Sequence, residues 1–331
     1  MTVLLFVLGV LLFVVGVALS IGLHELGHLI PGKLFGVKVT QYFIGFGPTL
    51  WSRRRGETEY GVKAVPLGGY VKLIGMLPPG KGEDPSRLRS TDTSMVSKMI
   101  AEARAAEYEL VGPGDEDRLF YRLPWWKKLI VMASGVATNL VLAFLLFAVV
   151  FMGYGVAVST TTIDTVSQCV IAVTAAFVVT TMAKSTWQTI EGIASLPVKL
   201  YHVGRAAIGL EERDQNGPMS VVGAGRVAGE MTSLADTPVQ GFMSVLALLA
   251  GLNLFLGMLN LVPLLPLDGG QMAGAIYEGM RRGFAKVSGR PDPGFVDIAR
   301  LLPVGYVMAS VILVASVVLI YADIVAPITL Q

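Results

Sequence analysis

His24 and His28 stand four residues apart, with Glu25 beside the first, in the run His24-Glu25-Leu26-Gly27-His28. On a helix that spacing stacks both imidazoles on one face, where they can share one zinc ion. A carboxylate next to the first ligand sits where it can take a proton from metal-bound water. Zinc lowers the pKa of such water to about 7, which makes hydroxide available at neutral pH. A catalytic zinc also needs a third protein ligand and one open position. Asp268 is the candidate, in the segment Asn260-Leu-Val-Pro-Leu-Leu-Pro-Leu-Asp-Gly-Gly270. The amide of Asn260 could donate to the oxyanion formed when water attacks a peptide carbonyl. Plainer readings compete. A histidine is often only a satisfied polar group, Asp268 could cap a helix beginning at Gln271, and Asn260 could make an interhelical contact. Two of the chain's three histidines and a glutamate nevertheless fall within five positions of an apolar segment. Ionisable groups inside a membrane are expensive and default to a functional reading. The third histidine, His202, reads as a solvated interfacial residue. Gly135 and Asn139 read as packing positions.

The elements that must position these residues are membrane helices. The chain has 331 residues, 53% hydrophobic and only 15% charged, against about a quarter charged in an ordinary soluble domain. Spanning helices need on the order of 20 largely apolar residues. Residues 3–30, 129–152, 242–265 and 301–325 qualify. The expected fold class is a polytopic α-helical membrane protein with four transmembrane helices and a cytoplasmic, membrane-associated β-loop. The N-terminal apolar run lacks the basic residues of a signal peptide and reads as a retained span. Cys169 is alone, so no intramolecular disulfide is possible; it reads as structurally inert. A net charge of +2 carries no nucleic-acid signal.

Loop charge sets the orientation. Lys and Arg are dense between the first and second spans, where Arg53, Arg54 and Arg55 are consecutive, and again between the third and fourth. The positive-inside rule puts those loops in the cytoplasm and both termini outside. The expected order is a first transmembrane helix with the zinc motif (1–30), then a cytoplasmic loop of β-hairpins and a helix (31–124) and a second transmembrane helix (125–152). An extracytoplasmic segment with a surface helix follows (153–240), then a third transmembrane helix bearing the third ligand (241–270), a cytoplasmic loop (271–300) and a fourth transmembrane helix (301–325).

Within the first loop, residues 37–73 are rich in Val, Tyr, Phe and Thr broken by Gly and Pro, which reads as short strands. Residues 78–82 read as a flexible break, and 94–110 as a helix. Trp125-Trp126-Lys127-Lys128 reads as a membrane interface, with rings at headgroup depth and cations in water. Residues 166–183 are apolar but short and polar-dotted, and read as no fifth span. Residues 183–210 read as an amphipathic surface helix. Pro263 and Pro266 each remove a helical donor, and Gly269 and Gly270 loosen the backbone further. Irregular backbone at membrane depth is tolerated where it lines a cavity or is buried in protein.

On His24–His28 and Asn260–Gly270 the chain resembles the site-2 proteases, specifically the bacterial type that cleaves membrane-bound anti-sigma factors. Pro66-Leu67-Gly68-Gly69-Tyr70-Val71-Lys72 looks like that family's membrane-dipping β-loop, and Gly217-Pro218-Met219-Ser220 looks like its segment before the third span. The resemblance implies Zn2+ held by His24, His28 and Asp268, Glu25 as base and Asn260 as catalytic assistant. It implies substrate contact at Gly68, Gly69 and Tyr70. It also implies a substrate that is a single-pass membrane protein such as an anti-sigma factor, already trimmed by another protease, and residence in a bacterial inner membrane. Two departures stand out. Val136 follows Gly135 where the family usually has proline, and the stretch from Gly153 to Ala183 leaves no room for the usual PDZ domain, so that domain is naturally absent or was removed.

A helical substrate must unwind before water can reach a peptide bond, and strands around Val65–Leu73 could hold it as an added strand. Two rivals have different signatures. A secondary transporter would use broken helices and an intramembrane Asp, but has no need of Glu25 beside a His pair. A zinc-holding protein would bind metal and cleave nothing.

Overall fold

A computed structural model describes residues 2–79, 94–154 and 166–330, without the side chains of 67, 153, 154 and 166–177. In chain order the elements are α1 (Thr2–Leu34), β1 (Val39–Arg55), β2 (Thr58–Leu73), α2 (Met95–Tyr108), α3 (Trp125–Tyr154), α4 (Val166–Ala207), α5 (Val221–Ser233), α6 (Pro238–Leu259), α7 (Asp268–Val287) and α8 (Leu302–Val325). Short 3-10 turns at Glu116–Arg118 and Phe120–Arg122 precede α3, and one at Ile298–Leu301 leads into α8. Four helical stretches among the described residues are long and apolar enough to cross a membrane: Thr2–Leu34, Trp125–Met152, Pro238–Leu259 and Ile298–Val325. This is the expected polytopic α-helical membrane fold, with a sheet between the first two spans.

Several expected boundaries move. The third span ends at Leu259, and residues 260–267 form a turn rather than its last helical part. Asp268 therefore opens α7 instead of closing a span, and 271–300 is largely that helix rather than a loop. The expected surface helix at 183–210 starts earlier, because α4 is unbroken from Val166. Residues 217–220 precede α5, one helix before the third span. The expected break at 78–82 lies outside the described residues from Gly80 onward. So do residues 155–165, within the stretch expected to leave no room for a PDZ domain, and the side chain of Cys169.

The chain divides into two compact units. One comprises Met1–Ser20, Asn139–Leu259 and Val311–Gln331. Its interior is joined by a few buried polar contacts. Thr232 Oγ1 donates to the Leu5 carbonyl at 2.8 Å, and Asn253 Nδ2 donates to Ser20 Oγ at 2.9 Å. Arg213 pairs with buried Asp323 at 2.9 Å, and Ser220 caps α5 by accepting from the N–H groups of Val222 and Gly223. His202 is exposed as expected, with Glu211 as its partner at 2.9 Å. Asn139 is buried, as a packing position requires, and its Oδ1 has no partner among the described residues.

The other unit comprises Ile21–Thr138 and Asn260–Ser310. Its core packs Leu29 of α1, Val37 of the connection to β1, Val39 and Leu73 of the sheet, Phe120 and Leu123, and Val131 and Met132 of α3. The strands are long rather than short, and each doubles back where glycine accepts positive φ, at Gly45 (91°) and Gly68 (107°). Residues 49–55 pair with 58–63, and residues 41–44 pair with 59–62 on one side and 69–72 on the other. Among the described residues, the 69–73 segment thus has a strand partner on one side only. Tyr42 Oη donates to the Gly22 carbonyl at 2.7 Å, which pins the sheet to α1.

Lys128 is not the solvated interfacial cation expected of the Trp-Trp-Lys-Lys run. It is 6% exposed and pairs at 2.7 Å with Glu278 of α7, itself 2% exposed. Two charges removed from water together must be paired closely to be tolerated, and here the pair ties α3 to α7.

Candidate metal centre

Three side chains from two helices converge in the second unit. His24 and His28 project from the same face of α1, as their spacing requires. Asp268 arrives as the first residue of α7. The turn before it is held by Gly269 N–H donating to the Asn260 carbonyl at 2.7 Å. Gly269 and Gly270 are helical, and their role is close approach. A Cβ on Gly269 would lie 2.2 Å from the Val262 carbonyl oxygen, and one on Gly270 would lie 2.7 Å from the Leu265 nitrogen. The expectation that they loosen the backbone is thereby corrected: they let the turn fold down over the start of α7.

The ligand atoms form a triangle. His24 Nε2 and His28 Nε2 each lie 3.3 Å from Asp268 Oδ2, and the two nitrogens are 3.3 Å apart. A tetrahedral ion bound at about 2.0–2.1 Å separates its ligands by roughly 3.3–3.4 Å, so these residues fit a zinc ion with a fourth position left open. Asp268 Oδ2 is buried without a hydrogen-bond partner. A buried carboxylate oxygen left without a donor is costly, and a cation between the three atoms removes that cost. Among the described residues, His24, His28 and Asp268 are the only group of three such side chains placed to hold a metal.

The surroundings orient the ligands. His28 Nδ1 lies 2.8 Å from the Val131 carbonyl of α3. The Nδ1–H tautomer donates to that carbonyl and leaves the Nε2 lone pair for metal. His24 Nδ1 is buried and has no such partner among the described residues. Gly135 makes room for the His28 ring, since a Cβ there would lie 2.2 Å from His28 Nε2. The packing role expected of Gly135 is real, and what packs against it is the imidazole.

Glu25 stands beside the triangle, and the backbone N–H of Val71 in β2 faces its carboxylate. Gly69 lies against it too, since a Cβ there would come within 3.1 Å of Glu25 Cγ. Tyr70 stacks with Phe43 and Phe46 on the sheet, at centroid distances of 5.6 and 6.3 Å. Gly68 sits at the fold-back, with a hypothetical Cβ 2.3 Å from the Phe46 ring. The side chain of Asn260 makes no hydrogen bond among the described residues. Val131 and Val71 act through backbone atoms, which no residue type announces, so sequence reasoning had no signal for them.

The model of peptidase family M50 matches residues 12–291. Over 438 aligned residues, covering 99% of this chain and 100% of the relative, the chain is 27% identical to zinc metalloprotease Rip1 of Mycobacterium tuberculosis. The match to Rip1 of Mycolicibacterium smegmatis is 26% identical with the same coverage. A putative zinc metalloprotease of Rhizobium meliloti is 34% identical over 143 residues, 43% of this chain and 33% of the relative. The family match runs from the middle of α1 through α7, across the whole His24–His28–Asp268 constellation, and the chain belongs to peptidase family M50.

Proposed function

We propose that this membrane peptidase is a zinc metalloprotease that hydrolyses peptide bonds within or near the transmembrane segment of single-pass membrane proteins, such as an anti-sigma factor. The observation that carries the reading is the 3.3 Å triangle of His24, His28 and Asp268 with Glu25 beside it. Zinc, when bound, would supply a Lewis acid to polarise the scissile carbonyl and make water nucleophilic at neutral pH. His24, His28 and Asp268 would hold it, and the Val131 carbonyl fixes the His28 ring. Glu25 takes a proton from the attacking water and passes it to the leaving amine. The Val71 N–H faces the Glu25 carboxylate from the sheet side. Asn260, whose amide is not engaged elsewhere among the described residues, donates to the developing oxyanion.

The substrate enters as an unwound strand. The 69–73 segment has a strand partner on one side only, and an extended peptide can add to such an edge. Gly68, Gly69 and Tyr70 line that edge beside Glu25, which brings a peptide added there close to the metal. The mycobacterial alignment runs over 438 residues against 331 here, which suits a chain shorter than those relatives by an internal stretch. Without a PDZ domain the chain selects substrate size less strictly. The charge bias of the loops supports an orientation with both termini outside, and the family resemblance suits a bacterial inner membrane.

The test co-expresses the chain with a tagged single-pass substrate and with Glu25→Gln and Asp268→Ala forms. Glu25→Gln is expected to retain zinc and abolish cleavage, and Asp268→Ala to lose both. Cleavage surviving in Glu25→Gln removes the base from the mechanism, and full zinc in Asp268→Ala removes the third ligand.

A further inference from the structure

Helix α1 continues through Pro31 to Leu34. Proline has no N–H, so the carbonyl four residues earlier, that of Gly27, loses its helical donor. That carbonyl is not left empty. Ser134 Oγ, on α3, lies 2.7 Å from the Gly27 oxygen. The same hydroxyl also lies 2.8 Å from the Val131 carbonyl, and it has one proton to give. The Val131 carbonyl already receives His28 Nδ1–H at 2.8 Å and, within α3, the helical N–H of Gly135. A carbonyl has two lone pairs, so Val131 is saturated and the serine proton goes to Gly27. The helices touch closely enough for this because residue 27 is glycine. A Cβ there would lie 2.7 Å from both the Ser134 carbonyl oxygen and Thr138 Oγ1.

We propose that Ser134 is a positioning residue for the metal site. Its hydroxyl fills the carbonyl that Pro31 vacates and so clamps Gly27 of α1 to α3, where the Val131 carbonyl holds His28. Pro31 and Ser134 are then two halves of one device: the proline creates a polar anchor one residue before a ligand, and the serine grips it from the helix that orients that ligand. Without the grip, the His28–Val131 bond rests on the apolar packing of Leu29 against Val131 and Met132 alone, and the three ligand atoms lose their common spacing.

The proposal rests on the reading that His24, His28 and Asp268 hold zinc, and it predicts that the effect of Ser134 depends on residue 31. In the Pro31 chain, Ser134→Ala is expected to weaken zinc binding about ten-fold, the scale of lost outer contacts to a metal ligand. It is also expected to shift the visible absorption of the cobalt-substituted protein. In the Pro31→Ala background the N–H restored at position 31 occupies one lone pair of the Gly27 carbonyl, so loss of the Ser134 hydroxyl no longer leaves that oxygen without a donor. There the same Ser134→Ala change is expected to cost less than about two-fold, the interaction term that a mutant cycle isolates. Zinc affinity is read by chelator competition on full-length protein in detergent, alongside thermal unfolding. An equal cost in both backgrounds, or no cost in either, overturns the proposal. So does a cost confined to thermal unfolding with zinc affinity and cobalt spectrum unmoved. If Ser134→Ala does not yield folded protein, the isosteric pair Ser134→Thr and Ser134→Val repeats the cycle with the hydroxyl as the only difference. A Pro31 chain that binds no zinc removes the metal reading itself, whereas normal zinc loss in Asp268→Ala with an additive cycle removes only the role of Ser134.

Discussion

At the scale of single residues, the site depends as much on what is missing as on what is present. The two histidines and the aspartate supply the lone pairs, but Gly135 supplies the volume in which the His28 ring lies. Gly135→Ala would put a carbon 2.2 Å from His28 Nε2, far inside any tolerated contact, so the ring or the helix must move. The expected result is at least about a ten-fold loss of zinc affinity with the helical content unchanged, measured by chelator competition and circular dichroism. An unaltered affinity would show that the ring relocates without cost. The residue types of the triangle were legible in the sequence, because metal ligation narrows the choice of side chain. The glycine was legible only as a close contact, since its sequence does not say what approaches it.

At the scale of elements, the Lys128–Glu278 pair holds α7, which begins with Asp268, against α3, which carries Val131. Breaking one half of a buried pair leaves an uncompensated charge. Glu278→Ala is therefore expected to destabilise the protein by about 3 kcal/mol. Replacing both partners by methionine is expected to cost far less, because the desolvation penalty disappears with the charges. Thermal unfolding in detergent of the single and double variants checks this, and equal losses in the two would argue against a buried pair. Hydropathy located the spans well because lipid demands long apolar runs. It overran at α6, since Leu261, Val262, Leu264, Leu265 and Leu267 are as apolar in a turn as in a helix. The Trp-Trp-Lys-Lys run misled for a related reason. A lysine after aromatics suits a membrane interface, and only the arrival of Glu278 from a distant helix turned Lys128 inward.

At the scale of the whole molecule, we propose that the four candidate spans return the chain to the side from which it started, with both termini on one face of the membrane. The density of basic residues in the first and third loops predicts that this face is the outer one. Single cysteines placed near each terminus and in the loop between α7 and α8, in a Cys169→Ser chain, test it with a membrane-impermeant thiol reagent on intact cells. Labelling at both termini and protection in that loop are expected, and the reverse pattern would invert the proposed topology.

The sequence by itself determined the kind of chemistry and the kind of solvent. Residues four apart on a helix share a face whatever else the chain does, and apolar runs of spanning length leave few places to go but lipid. It could name Asp268 as a partner for the histidines because few other ionisable groups lie at membrane depth. Only the tertiary structure decided that the three ligand atoms stand at one common spacing. It also decided that Asp268 begins a helix rather than ends one, that His28 leans on a backbone carbonyl of α3, and that a serine answers a proline on the facing helix. Those facts depend on contacts between segments far apart in the chain. Packing sets such contacts, and local residue spacing carries no record of them.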